Sequence, residues 1–140
     1  MSNSLGFYQD AGMTVPFARL DAVQADDGGA AAVDRVAYIG STVAAMKFQD
    51  AAAPGTGQIV LDIVDAGTGL QIPDTTLRLA LSSGGLGSAT PGASLNLGTE
   101  ILSGSGNALA VHVRVDAAAI AAGNYDNLSL LTSSTIEVAV

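Results

Sequence analysis

Residues 108–116, Ala-Leu-Ala-Val-His-Val-Arg-Val-Asp, alternate without a break. Leu109, Val111, Val113 and Val115 fall on one side of a period of two, and Ala108, Ala110, His112, Arg114 and Asp116 on the other. Successive side chains of a strand point to opposite faces, so this stretch is a strand with one oily face and one mostly polar face. An oily face of that kind must be covered. The rest of the chain supplies further strands to cover it.

The same alternation recurs elsewhere. Ile59, Leu61 and Ile63 stand against Val60, Asp62 and Val64. Leu77, Leu79 and Leu81 are expected inward, with Thr76, Arg78 and Ala80 outward. In residues 17–25, Ala18, Leu20 and Ala22 stand opposite Arg19, Asp21 and Val23. Residues 5–8 form a short first strand. Residues 34–39 and 42–49 are two strands, or one bent at Gly40, because glycine often marks bulges and bends. Residues 94–102 carry Leu95 and Leu97 and break at Gly98. Residues 128–132 and 135–140 are the last strands, with Ile136, Val138 and Val140 in phase.

Turn signals separate these runs: Gln9-Asp10-Ala11-Gly12, residues 26–29, 51–57 and 66–69, the Gly-, Ser- and Pro-rich residues 83–92, and residues 103–107. Residues 116–123 suit one helical turn, capped by Asp116 and left through Gly123. The result is about nine short strands with turns at ~8–12-residue spacing, the pattern of an antiparallel β-sandwich or barrel. A parallel sheet would need helical crossovers of about a dozen residues, and the sequence has none. At 140 residues the chain suits a single domain, residues 1–140, with 1–16 as an edge strand or arm because Gly12 and Pro16 disfavour a central position.

Charge narrows the function classes. The net charge is −8, from 13 acids against five basic residues, and Arg19, Arg35, Lys47, Arg78 and Arg114 are scattered singly. Direct nucleic-acid binding calls for clustered cations, so it is not expected. No apolar run approaches the ~20 residues of a membrane span. The first residues lack the basic and apolar regions of a signal peptide, so synthesis in a cytoplasm is expected. With no cysteine, disulfides and thiolate metal sites are excluded.

Catalytic chemistry finds little to work with, and neither enzyme activity, a cofactor nor a metal is expected. His112 is the only histidine, and a transition-metal site usually needs several nitrogen or sulfur donors. Asp26-Asp27-Gly28-Gly29 invites a calcium reading, but an EF-hand loop spaces its acids at alternate positions and ends in glutamate, so a plain turn is expected. Asp62 and Asp65 could pair for glycoside chemistry. Their odd spacing puts them on opposite strand faces. The glycine-rich pieces lack the lysine and following helix of a phosphate loop.

Three of the six aromatic residues, Phe7, Tyr8 and Phe17, lie in the first 17 residues. Two readings are open. The segment packs on the chain's own core, or Leu5, Phe7, Tyr8, Met13 and Phe17 are anchors offered to a partner, since aromatics are enriched at interface cores. Tyr125, in Ala-Ala-Gly-Asn-Tyr, resembles the tyrosine that pins a corner in immunoglobulin-like sandwiches, a structural role.

Two blocks carry a resemblance. One is Leu5-Gly-Phe-Tyr-Gln-Asp-Ala-Gly-Met-Thr-Val-Pro, followed by Asp34-Arg-Val-Ala-Tyr-Ile-Gly-Ser. The other is Ala89-Thr-Pro-Gly-Ala-Ser-Leu-Asn-Leu-Gly, followed by residues 108–116. Over nearly its whole length the chain resembles the capsid cement, or decoration, proteins of tailed phages. The resemblance implies a jelly-roll-like sandwich, often a homodimer, seated on the outer surface of the virion capsid and partnered by the phage major capsid protein. It brings no catalytic residue. Two other readings remain: a structural sandwich of the tail, baseplate or fibre, and a carbohydrate-binding module, the latter disfavoured because the chain has no tryptophan. A strand-dominated circular dichroism spectrum, unchanged in His112→Ala, is the expected outcome. A helical spectrum would overturn the fold class, and an unfolded variant would overturn the bystander reading of His112.

Overall fold

The computed structural model describes residues 4–17, 33–65, 77–115 and 128–140. The expected strand over 18–25, the Asp26-Asp27 turn, the turn at 66–69, the helical turn after Asp116 and the Tyr125 corner lie outside them.

The described chain is all-β and antiparallel. In order, its strands are β1 (Gly6–Tyr8), β2 (Val33–Gly40), β3 (Met46–Asp50), β4 (Val60–Asp65), β5 (Leu77–Ala80), β6 (Leu95–Asn96), β7 (Ile101–Leu102), β8 (Leu109–Val115), β9 (Leu128–Thr132) and β10 (Thr135–Ala139), with one 3-10 turn at Ser105–Asn107. The alternating stretch is β8. It lies inside a four-stranded sheet of order β1-β2-β8-β5, here sheet I. Val111, Val113 and Val115 are buried, as the period requires.

The remaining strands pair as β10-β3-β7 and β6-β4-β9. These two sets are halves of one bent sheet, sheet II. Thr135 faces Asp50 at the end of one ladder, and Thr132 faces Leu61 at the start of the other. The joint is bonded on both sides. Ala51 N donates to Ser134 O at 2.9 Å and Ser133 N to Val60 O at 2.7 Å, while Ile59 N donates to Gly98 O and Leu97 N to Ile59 O. So β9 and β10 form one long strand kinked at residues 133–134. β3 and β4 form its neighbour, with residues 52–58 thrown out as a loop, and β6 and β7 form the third, broken at Gly98. Gly98 has φ 99, a left-handed conformation that glycine adopts without a Cβ clash.

The chain therefore alternates between the sheets: β2 in I, β3–β4 in II, β5 in I, β6–β7 in II, β8 in I, β9–β10 in II. One core cluster fills the space between. Sheet I contributes Ile39, Leu77, Leu79, Val111, Val113 and Val115; sheet II and its joint contribute Phe48, Ile59, Leu61, Leu97 and Ile101. This is a two-layer sandwich with alternate residues of both sheets facing inward.

Of the two alternatives for residues 34–39 and 42–49 the structure has two strands, and they lie in different sheets. Three other expectations need correction. The second of those strands starts at Met46, because residues 41–45 make the corner between layers and Ala45 sits at φ 57. Leu81 is 49% exposed instead of inward, since β5 ends at Ala80 and the period of two ends with it. Ala80 is on the outer face as expected, yet it is buried. The glycine-rich residues after it explain this. They coil in successive turns, with Gly85 N to Ser82 O, Leu86 N to Ser83 O, Ser88 N to Gly85 O and Ala89 N to Leu86 O. A Cβ on Gly85 would lie 3.3 Å from Ala80 Cβ. The loop is laid against the outer face of β5, with Leu86 fully buried outside the main core cluster.

Phe48 is the largest fully buried side chain, at the middle strand of sheet II. Phe48→Ala should destabilise the fold by about 3–5 kcal/mol through lost burial and a residual cavity. Urea unfolding checks this; a loss below about 1 kcal/mol would mean that the sheets can close over the gap.

Candidate interaction surfaces

Three surfaces hold the residues the sequence singles out. The first is the N-terminal hairpin. β1 pairs with β2 at the rim of sheet I, Phe7 facing Ile39 and Tyr8 facing Tyr38. The chain then turns back through Phe17 N to Phe7 O at 2.9 Å and a bridge between Tyr8 and Pro16. Asp10 organises the turn. Its carboxylate accepts from Thr14 N, from Thr14 Oγ1 at 2.7 Å and from Val15 N at 2.9 Å. Those bonds, the Thr14 hydroxyl first, hold the Asp10 carboxyl below its ordinary value.

The five proposed anchors are mostly turned toward their own chain. Met13 is 4% exposed, and its Sδ occupies the space a Cβ on Gly40 would need, 2.7 Å away. Leu5 and Phe7 pack on the core cluster. Tyr8 and Phe17 are half-buried. The hairpin places all five near one rim, but the core-packing reading accounts for Leu5, Phe7 and Met13. Val15, which the sequence did not single out, is the exposed apolar residue of this hairpin.

A polar relay ties the same rim to sheet II. Ser4 N and Ser4 Oγ both reach the Glu137 carboxylate, the hydroxyl at 2.6 Å, and Ser4 Oγ lies 2.6 Å from Ser41 Oγ. A carboxylate only accepts, so Ser4 donates to Glu137 and Ser41 donates to Ser4. Ser41 is buried, and its oxygen accepts from Val43 N. Glu137 points to the core side of β10, opposite Phe48, and the relay supplies its partners.

The second surface is the outer face of sheet I. Asp34, Arg114 and Arg78 stand in one cross-strand row, and Val36, His112 and Ala80 in the next. Basic residues that look solitary in the sequence are thus brought together. Arg114 and Asp34 form a two-pronged ion pair, Nε to Oδ1 at 2.8 Å and Nη2 to Oδ2 at 3.1 Å. The guanidinium holds the Asp34 carboxyl below its ordinary value. Arg78 reaches Gly87 O. His112 is half-buried in this face, and among the described residues no group of three His, Asp or Glu could hold a metal ion. Asp62 is exposed on β4, away from this row.

The third surface is the outer face and rim of sheet II. Ile136, Gln49 and Glu100 share one row, and Val138, Lys47 and Leu102 the next. Lys47 and Glu100 pair diagonally at 3.7 Å. Leu102, Leu131, Ile136 and Val140 are exposed. Beside Leu102 lies an open depression of about 200 Å³, lined also by Leu97, Glu100, Ile101, Asn107 and Leu109. The in-phase apolar set of the last strand faces outward, a choice fixed by register and invisible to periodicity.

No known family model, curated protein or solved structure matches this chain.

Both lowered carboxyls give stability a defined pH dependence. Their folded pKa values lie below the ordinary 3.8, so their contribution is present above that value and is lost as pH falls through the lower, folded one. In thermal melts, Asp34→Asn should be less stable than the parent at neutral pH, and the difference should begin to shrink below about pH 4 and go on closing as the pH falls further. A difference that persists unchanged at pH 2 would show that the pair's charge is not what the substitution removes.

Proposed function

We propose that this chain is a structural virion protein that binds the outside of an assembled phage capsid and cements neighbouring major capsid subunits. The family resemblance of residues 5–16, 34–41, 89–98 and 108–116 suggests the reading. The observation that supports it most is the pattern of exposed apolar side chains on a two-layer scaffold: Val15 at 46% on the hairpin, Val43 at 42% on the corner between layers and Leu81 at 49% after β5. Each sits on a turn at the border of a sheet, where a neighbouring protein surface can reach it.

The mechanism follows from linkage. A protein that binds only the assembled shell stabilises it by mass action. Contact with two adjacent subunits makes the second contact intramolecular and multiplies weak affinities. The described basic residues on the outer face of sheet I are engaged by Asp34 or by Gly87 O, so contacts with the shell would be mainly apolar and hydrogen-bonded, with little electrostatic steering.

Filled particles with and without the protein test this. The protein should co-purify at a copy number matching shell subunits, and particles lacking it should release DNA at lower temperature. Equal release temperatures would remove the cement role. A copy number matching a tail or baseplate ring would move the protein there.

A further inference from the structure

The four rims of this sandwich are finished differently. β1 is followed by a hairpin whose returning residue, Pro16, bridges Tyr8 and has no N–H to offer another strand. β5 is short, and Gly92 N caps Leu77 O at 2.9 Å. β6 and β7 are two-residue pieces separated by Gly98. Short strands, prolines and covering loops are the usual means of blunting an edge. Among the described residues β10 has none of these: it runs five residues, Thr135–Ala139, without proline or lysine, and its one charged side chain, Glu137, is turned inward and bonded by Ser4.

The direction of its backbone groups follows from the ladder to β3. Val140 N donates to Ala45 O, and Ala51 N donates to Ser134 O, both in the register that pairs Val138 with Lys47. Hydrogen-bonded and non-bonded pairs alternate in an antiparallel ladder. Ser134, Ile136, Val138 and Val140 therefore bond β3, and the N–H and C=O of Glu137 and Ala139 point away from it, toward the rim. The side chains divide the same way. Ile136, Val138 and Val140 lie on the outer face, and the one acid, Glu137, is turned to the core side and held by Ser4.

We propose that β10 pairs antiparallel with β10 of a second copy of this chain, about a twofold axis at Val138, so that two sheets II become one continuous sheet. In that register Val138 meets Val138 of the partner subunit, and Ile136 meets Val140 of the partner subunit. Glu137 exchanges both backbone hydrogen bonds with Ala139 of the partner subunit. Every outward pair is apolar and β-branched, a favourable cross-strand combination. The neighbouring register centred on Glu137 would set the two carboxylates opposite each other, which is unfavourable. The rim thus has no outward charge to reject its own copy and no cation to recruit an acidic strand. This inference rests on strand register alone and holds whether or not the protein decorates a shell.

The chain lacks cysteine, so a single thiol reports the register cleanly. At the axis, the two Cα atoms of residue 138 form a non-hydrogen-bonded pair about 4.5 Å apart, within disulfide reach. Under mild oxidation of the isolated full chain, Val138→Cys should cross-link into a covalent dimer. Leu102→Cys, exposed on the same face but off the axis, should remain single. Light scattering should give the mass of two chains for the parent and of one for Ala139→Pro, which removes an N–H that β3 does not use. If that variant does not fold, Ile136→Lys, which places a charge opposite Val140 of the partner subunit, should also give the single-chain mass. A parent that is monomeric overturns the proposal and leaves the rim to a strand of another protein. Cross-linking of Leu102→Cys as fast as Val138→Cys overturns the register.

Discussion

β8 is bonded on both sides, to β2 and to β5, and its period of two decides which side chains enter the core. A slip of one residue would bring His112 and Arg114 inward and turn Val111, Val113 and Val115 out, so the register is strongly specified. Each of those buried valines contributes about 1.5–3 kcal/mol on burial. The rest of the fold depends on this choice. It aligns Asp34 with Arg114 and Ile39 with Leu109, and presents the valine row to the side chains of sheet II. Phe48, Leu61 and Ile101 answer it from the opposite layer.

Because consecutive segments alternate between layers, almost no pairing is local. Asp34 and Arg114 are 80 residues apart, and Ser4 and Glu137 are 133 apart. Closing such loops costs entropy before any contact forms, so folding of this topology is expected to be slow relative to a helical bundle of equal size. The last strand, β9–β10, completes sheet II, and Ser4 then bonds Glu137 across the gap to the rim of sheet I. That relay keeps a carboxylate on the core side of an edge strand without leaving it unpartnered; among the described residues no buried side-chain nitrogen or oxygen lacks a hydrogen-bond partner.

Much of this architecture is legible in the sequence, because strand alternation is a local property. The strands near Ile59–Ile63, Leu77–Ala80 and Leu109–Val115 can be read residue by residue, as can the turns at Gly12, Gly98 and residues 103–107. What is hidden depends on partners distant in the chain. Nothing near Ile136 says that its row faces solvent while Glu137 faces the core; only the pairing of Glu137 with Phe48 decides it. Leu86 sits among glycines and serines and looks like loop, yet it is fully buried. Arg78 and Arg114 look isolated and become neighbours through β5 and β8. Leu5, Phe7 and Met13 are legible as apolar residues of one segment, but their surroundings are set by distant strands: Met13 fills the space beside Gly40, and Leu5 and Phe7 pack on the core cluster.

The difference among the rims gives the molecule a direction. A sandwich has four, and a protein that must remain single blunts all of them, since an open ladder is a template for another strand. Among the described residues a proline hairpin, a capping loop and a broken strand finish three, each at some cost in regular pairing. The fourth is the rim where the only acid has been turned inward and given a serine to bond. Glu137 directed outward would have been the simpler arrangement, needing no relay and repelling a second acidic chain. Its inward position removes that repulsion from the rim while Ser4 and Ser41 meet the hydrogen-bonding demand, so the same side chain that ties the N-terminal segment to sheet II also leaves β10 able to accept a neighbour.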